Sequence, residues 1–185
     1  MGLGRGYTHQ DCSLARALEV VGERWTLLVL RDCFYGVRRF GDFHAHLDIP
    51  RAVLADRLKT LAALGVIERR PCAVGVEVDY ALTERGLDLW PTVFTLVQWG
   101  ERWLAPQGPR RLFSHAPCGT DVTSAGRCPA CDTDPPPGDL VIRQGPGADP
   151  AMRDDRVSVA LRRRPHRLLT ELFPDPAVTP APPAR

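Results

Sequence analysis

The sequence predicts a mainly α-helical fold with a small β-hairpin, arranged as a winged helix-turn-helix, and a small α+β extension behind it. Three observations predict it. Apolar side chains recur at helical spacing in short segments up to about residue 105, with a pair of extended runs around a glycine before the last segment. Only 3 of the 18 prolines (Pro50, Pro71 and Pro91) precede residue 106, so the composition breaks there. Beyond the break, four side chains of metal-ligand type stand in two pairs, each spaced by two residues.

The elements follow in order. Ser13 can cap a first helix in which Leu14, Ala17, Leu18 and Val21 recur on one face, and Gly22 can end it. Arg24 to about Phe34 is mostly apolar, through "WTLLVL", and suits a buried central helix. After the "YGVRRF" turn, Phe40, Phe43 and Leu47 share one face of a short helix; "DIP" then breaks the chain. Arg51 to Leu64 forms the next helix, closed by Gly65. "VIERRP" and "VEVDYALT" flank "CAVG" as a hairpin with Gly75 at its tip. Arg85 to about Leu104 has the length of one terminal helix, with a kink at Pro91. Further on, "GDLVIRQGPGADP" and "RVSVALRRRPHRLL" supply two short strands, and "PDPAVTPAPPAR" has the composition of a disordered tail. The expected domains are residues 1–105, 106–175 and a disordered 176–185.

A tight turn between two short helices, followed by a hairpin, is the arrangement that places a helix in the DNA major groove with the hairpin as a wing. On a helical wheel Leu54, Leu58 and Leu61 cluster on one face of the fourth helix, while Ala52, Asp56, Lys59 and Ala63 point the other way. Small side chains let such a helix approach a base edge. Arg51 opens the helix, where recognition helices present side chains to bases, and Arg57 flanks the core face within reach of a phosphate or an acid. Arg38 and Arg39 before the supporting helix, and Arg69 and Arg70 at the wing base, extend the positive stripe. The candidate set facing double-stranded DNA is therefore Arg38, Arg39, Arg51, Ala52, Arg57, Lys59 and Arg69. The charge is modest: residues 1–105 hold 13 basic and 13 acidic side chains, and only segment 38–70 is basic, with seven positive against four negative. A small helical domain with a solvated charged helix is the competing reading.

The runs "CSLARALEVVGERWTLLVLRDCFYGVRRFGDF", "IPRAVLADRLKTLAALGVIERR", "VDYALTERG" and "VQWGERW" together resemble the HxlR family of bacterial transcription regulators, over about Cys12 to Trp103. The resemblance implies a winged-helix homodimer, joined mainly through its N- and C-terminal helices, that binds pseudo-palindromic promoter DNA and controls nearby genes. Arg38, Arg51 and Arg57 match the family's DNA-facing positions. The wing "CAVGVEV" departs from the pattern in lacking a basic tip residue. Leu89, Val93, Leu96, Trp99 and Trp103 make one broad apolar face that suits a two-fold interface.

Some members of that family sense oxidants or electrophiles through a cysteine at the position of Cys12, and a helix N-terminus favours a thiolate. The alternative is a small packing residue at the dimer interface. Neither Cys33, in a mostly apolar helix, nor Cys72, in the wing, has a close basic cluster that only a reactive thiol would explain. In "HAPCGTDVTSAGRCPAC", His115, Cys118, Cys128 and Cys131 carry the spacing of a Cys3His zinc ribbon. Two knuckle turns would put four donors on one ion, and four protein ligands leave no open position for catalysis. The segment is too poor in apolar residues to fold alone, so a structural zinc would hold it. The basic run from Arg162 to Arg167 reads as a solvated face rather than a second phosphate contact.

No apolar run approaches the ~20 residues of a membrane span, and the N-terminus lacks a signal-peptide core, which points to the cytoplasm. There, the six cysteines are not expected to form a disulfide framework. A net charge of +2 identifies no partner by itself. The expected function is a dimeric DNA-binding regulator, a repressor by preference, responsive to a redox, electrophile or small-molecule signal. A winged-helix and zinc-ribbon adaptor that binds proteins rather than DNA is the alternative. No nucleophile triad, phosphate loop or paired carboxylates stand out for an enzyme.

Overall fold

A computed structural model describes residues 6–7, 9–71, 78–149 and 151–174. Cys72, the Gly75 wing tip and the expected tail at 176–185 lie outside the described residues. The first helix, α1 (Ser13–Val21), opens at Cys12 rather than being capped by Ser13; no side chain caps it. Its apolar stripe faces outward: Ala15 and Val21 are buried, whereas Leu14 and Leu18 remain 66% and 39% exposed. Periodicity marks a face that something buries, without saying which molecule does so.

α2 (Thr26–Phe34) is the centre of the fold, with Val29, Leu30 and Phe34 fully buried. α3 (Phe40–Leu47) ends where Asp48 takes a left-handed conformation, φ 52°, which turns the chain sharply into Pro50 and α4 (Arg51–Ala63). Leu54, Leu58 and Leu61 of α4 enter the core, as their spacing predicts. β1 (Ile67–Pro71) pairs antiparallel with β2 (Val78–Leu82). The turn before α3 lies along this hairpin: the Tyr80 N–H donates to the Arg38 carbonyl at 2.9 Å, and Arg39 bridges to Asp79.

The expected single helix from Arg85 is two helices, α5 (Glu84–Leu87) and α6 (Trp90–Leu104). The Thr83 hydroxyl caps α5 by accepting from the Gly86 N–H. Gly86 lies against the Val66 carbonyl, where a Cβ would approach to 2.2 Å, so only glycine fits. Pro91 does not kink a helix. It sits in the first turn of α6, where its missing N–H has no intrahelical partner to lose.

The extension is an antiparallel sheet of β3 (Arg111–His115), β4 (Leu140–Gln144) and β5 (His166–Arg167), with β4 central. Of "RVSVALRRRPHRLL", expected to hold a short strand, only His166–Arg167 is strand, and "RVSVALRR" is a helix, α7 (Arg156–Arg163). Asp155 caps it by accepting from the Val157 and Ser158 N–H groups, and Val157 and Leu161, four residues apart, go into the core. The three-residue alternation Val-Ser-Val is too short to decide between periods of 2 and 3.6.

One apolar cluster runs through both parts. Phe113 of β3 meets Trp90 and Phe94 of α6 edge to face, at 5.9 and 5.3 Å between centroids. Arg156 lies 3.1 Å from the buried Asp42 of α3, and the Arg153 guanidinium donates to the Ala45 carbonyl at 2.8 Å. The Leu169 and Leu172 N–H groups donate to the Phe34 and Gly36 carbonyls, at 2.8 and 3.0 Å. Gly36 has φ +83°, and a Cβ there would stand 1.8 Å from the Thr170 carbonyl oxygen, so this crossing needs a glycine. No helix among the described residues is long and apolar enough to cross a membrane.

Candidate DNA-binding surface and candidate metal centre

The core leucines of α4 orient its other face outward. Arg51, Ala52, Val53, Ala55, Asp56, Lys59 and Ala63 are all exposed, a mixture of small side chains with positive charge at the helix start and just past its middle. The Arg51 guanidinium lies over the Phe40 ring, 5.3 Å from its centroid, which restricts a long side chain without using its N–H donors. Arg57 is held at the flank, 2.5 Å from Asp56 and 3.8 Å from Glu23. Arg69 is exposed on β1. Arg39 is half-buried, 3.8 Å from Asp79. Arg38 is half-buried too, and its Nη2 donates to the Leu169 carbonyl at 2.9 Å, which ties the turn before α3 to the extension. Arg51, Ala52 and Lys59 thus share the open face of α4, whereas Arg38, Arg39 and Arg57 are partly engaged within the chain.

A second exposed feature is apolar. On α6, Leu96, Trp99, Trp103 and Leu104 are 50 to 63% exposed. Of the five residues expected on this face, Val93 is buried in the chain's own core and Leu89 packs partly against it. Leu104, and Leu14 and Leu18 of α1, belong to the exposed apolar set instead.

The four ligand-type side chains of the ribbon converge: their donor atoms all lie within 4.8 Å of one another. The Cys118 sulfur is 3.5 Å from the Cys128 sulfur and 3.5 Å from His115 Nδ1. Those separations match the edges of a tetrahedron drawn around an ion with bonds of about 2.0–2.3 Å, the geometry of zinc bound by nitrogen and thiolate sulfur. The two halves are built alike. The His115 N–H donates to the Thr120 carbonyl and the Cys128 N–H to the Thr133 carbonyl, both at 2.8 Å. The Gly119 and Asp132 N–H groups return to the His115 and Cys128 carbonyls, at 2.8 and 2.9 Å. Gly119 and Asp132 both take left-handed conformations, φ 72° and 56°, just after the second ligand of each pair. That repeat, with Thr120 and Thr133 behind it, is visible in the sequence once "CGT" and "CDT" are aligned. The spacing of ligands alone does not show it.

Hydrogen bonds from the Thr120 hydroxyl and backbone hold the Cys118 thiol down, to about 6. The hydrogen bond with Cys118, then desolvation and Cys128, push Cys131 up to about 11. Without a cation, a second negative charge in this cluster is disfavoured. Arg127 braces the second knuckle from outside, 2.6 Å from Asp132.

The other described cysteines stand apart. Cys12 is exposed at the start of α1. Cys33 is buried in α2, and burial pushes its thiol up, away from reactivity.

Comparison with known proteins places this geometry. Residues 20–108 match the model of the HxlR-like helix-turn-helix family. An uncharacterized HTH-type transcriptional regulator of Mycobacterium tuberculosis (strain CDC 1551 / Oshkosh) is 42% identical over 137 residues, 73% of this chain and 87% of that protein. Another uncharacterized HTH-type transcriptional regulator, YdeP of Bacillus subtilis (strain 168), is 31% identical over 106 residues, 55% of this chain and 83% of its own length. Among solved structures, PA1607, a candidate transcription factor, superposes with a TM-score of 0.54 at 32% identity, and the match covers 82% of this chain and 99% of that one.

Proposed function

The chain belongs to the HxlR family of helix-turn-helix transcriptional regulators, and from that premise we propose that it is a homodimeric repressor that binds pseudo-palindromic promoter DNA through α4. One observation carries the reading. The buried leucines of α4 leave a face of Arg51, Ala52, Ala55 and Lys59 that is open, small in the middle and positive. Such a face can lie close to base edges while its charged side chains reach guanine or phosphate. Arg69 supplies a phosphate contact from the wing, and Arg38, Arg39 and Arg57 fix the helix against the backbone from its edges. The exposed apolar face of α6, with Leu14 and Leu18 of α1, is the two-fold interface. Pairing two such helices supports the reading because a formally neutral winged unit gains from summing two sets of phosphate contacts. Acting on promoter DNA, the chain works in the cytoplasm, and no catalytic step is assigned to it.

His115, Cys118, Cys128 and Cys131 would hold one zinc ion in a closed, structural site. The donor spacing fits, thiolates suit zinc over harder cations, and the residues between the knuckles bury little beyond Cys128. The domain reading keeps residues 1–105 as the DNA-binding and dimerisation unit and 106–175 as a module attached to it. A redox role for Cys12 fits its exposure at a helix start.

The test is a gel shift of the full chain with its own upstream DNA at two salt concentrations. Specific, salt-sensitive binding is expected, weakened by Arg51→Ala and Lys59→Ala with folding unchanged. Loss of a base contact costs ~1–3 kcal/mol. Both variants binding as tightly as the parent would show that α4 is not the reader. A chain that binds no DNA but captures protein through the same face would be an adaptor.

A further inference from the structure

A cavity of about 720 Å³ lies between the winged part and the extension. α2 contributes Arg31 and Tyr35, α3 contributes His46, and α6 contributes Val97 and Glu101. The extension contributes Arg110 and Arg111 at the start of β3, loop residues 146–149, 152 and 153, and Ser158 and Arg162 of α7. The volume is that of a small-molecule site. Its walls combine apolar surface from Tyr35, Val97, Pro146 and Ala148 with five arginines against two acids, Glu101 and Asp149.

The acids are already occupied. Glu101 accepts from the backbone N–H groups of Arg110 and Arg111, at 2.8 and 3.1 Å, and Asp149 accepts from the Ala151 N–H at 2.8 Å. Four of the arginines also have partners. Arg31 pairs with the buried Asp32, which takes His46 as well, at 2.7 and 2.8 Å. Arg153 pairs with Asp155, Arg110 donates to the Leu104 carbonyl, and Arg162 donates to the Arg153 carbonyl. Arg111 differs: its Nη1 is buried with no hydrogen-bond partner among the described residues. Burial, with Arg31 and Arg162 nearby, pulls its pKa below the ordinary arginine value, against the opposing influence of Tyr35 and Glu101. A desolvated guanidinium among like charges costs free energy that only a counter-charge recovers.

We propose that this cavity is a binding site for a small organic anion, one carboxylate or phosphate on an apolar, ring-sized body, with Arg111 as its principal charge partner. Carboxylate and phosphate share the planar or tripodal oxygen arrangement that a guanidinium fork accepts. The apolar wall takes the body of the ligand. Occupancy reaches DNA through short paths: α3, the helix before the reader, carries His46 and is gripped by Arg153 and Arg156. That consequence, unlike the site itself, rests on the DNA-binding reading above.

The test uses the full chain with three named probes: benzoate, phenyl phosphate, and benzamide as the neutral match in shape. Calorimetry is expected to show benzoate or phenyl phosphate binding at least ten-fold tighter than benzamide, and which of the two leads identifies the head group. Arg111→Met is expected to raise the melting temperature of the unliganded chain and abolish the preference for the anion, a combination that a purely structural arginine would not give. Ala148→Trp, which fills the cavity from the loop before α7 without altering charge, is expected to block the probes as well. Anions binding no better than benzamide overturn the site and leave the regulator reading standing. Tight anion binding by a chain that binds no promoter DNA upholds the site and overturns that reading.

Discussion

Replacing Trp103 by alanine tests the proposed two-fold interface where it is largest. Trp99 and Trp103 keep 54% and 63% of their surface exposed on α6, beside Leu96 and Leu104. With roughly 200 Å² on an indole side chain, about 120 Å² of Trp103 awaits a partner, worth ~3 kcal/mol at ~25 cal/mol per Å². Two-fold symmetry removes that term twice, so the gross loss is about 6 kcal/mol. Ordering of side chains and imperfect pairing offset part of any area-based figure. Even if only half survives, the dimer weakens more than ~100-fold, since each ~1.4 kcal/mol is a factor of ten. The fold should persist, because Trp103 is not in the core cluster. Sedimentation velocity from sub-micromolar to tens of micromolar protein is the assay, with circular dichroism to confirm the fold. A parent that is monomeric throughout, or a variant that dimerises as the parent does, refutes the assignment.

Purified protein is expected to contain one zinc per chain; chelation or Cys128→Ser should open residues 110–135 to protease while the winged part stays protected. Zinc well below one per chain after reconstitution under reducing conditions would refute this. Asp155→Ala should cost ~0.5–2 kcal/mol through loss of the α7 cap. Burial opposes the Asp155 carboxylate, but hydrogen bonds from Ser158 hold its folded pKa below the ordinary value. A depressed carboxyl pKa stabilises above the unfolded value, so the gap between parent and variant should be full at pH 6. It should close as pH falls below about 4 through the folded pKa; a gap that widens on acidification would contradict it. If Cys12 senses oxidant, mild peroxide should abolish DNA binding by the parent and spare Cys12→Ser, with thiol reversing the loss; equal sensitivity of the two proteins returns Cys12 to packing.

What the sequence made legible was whatever repeats at short range. Leu54, Leu58 and Leu61 point inward because a single helix carries their period, and the ribbon ligands meet because each pair is closed within four residues. What stayed hidden depends on partners distant along the chain. The stripe of Leu14 and Leu18 shows that one face of the helix is apolar, yet among the described residues neither side chain is buried. Val157 and Leu161 look like strand residues until Asp155 is seen to cap them. The cavity is beyond single-sequence reading, since Arg31, His46, Arg111 and Arg162 are brought together from four elements with no shared spacing.

The link between the two halves at Arg38 explains how a family DNA-facing position can also belong to the extension. The resemblance puts Arg38 toward DNA, whereas the structure shows its Nη2 donating to the Leu169 carbonyl at 2.9 Å. These roles do not compete for the same donor. A guanidinium has five N–H groups, and one bond to a carbonyl leaves the others for a phosphate. A free arginine loses up to ~2 kcal/mol of rotamer entropy when it is fixed on a ligand. One already held by Leu169 has lost part of that before DNA arrives. The segment from His166 to Leu172 reaches Arg38 because Gly36 lets the Thr170 carbonyl pass so close, so a residue in the "YGVRRF" turn permits the contact of Arg38 with Leu169, 131 positions apart along the chain. The extension therefore touches the helix before the proposed reader in two places, through Arg38 at the turn before α3 and through Arg153 and Arg156 along α3 itself. A ligand or metal that displaced β5 or α7 would act through these bonds on α3, and through the Asp48 turn on α4.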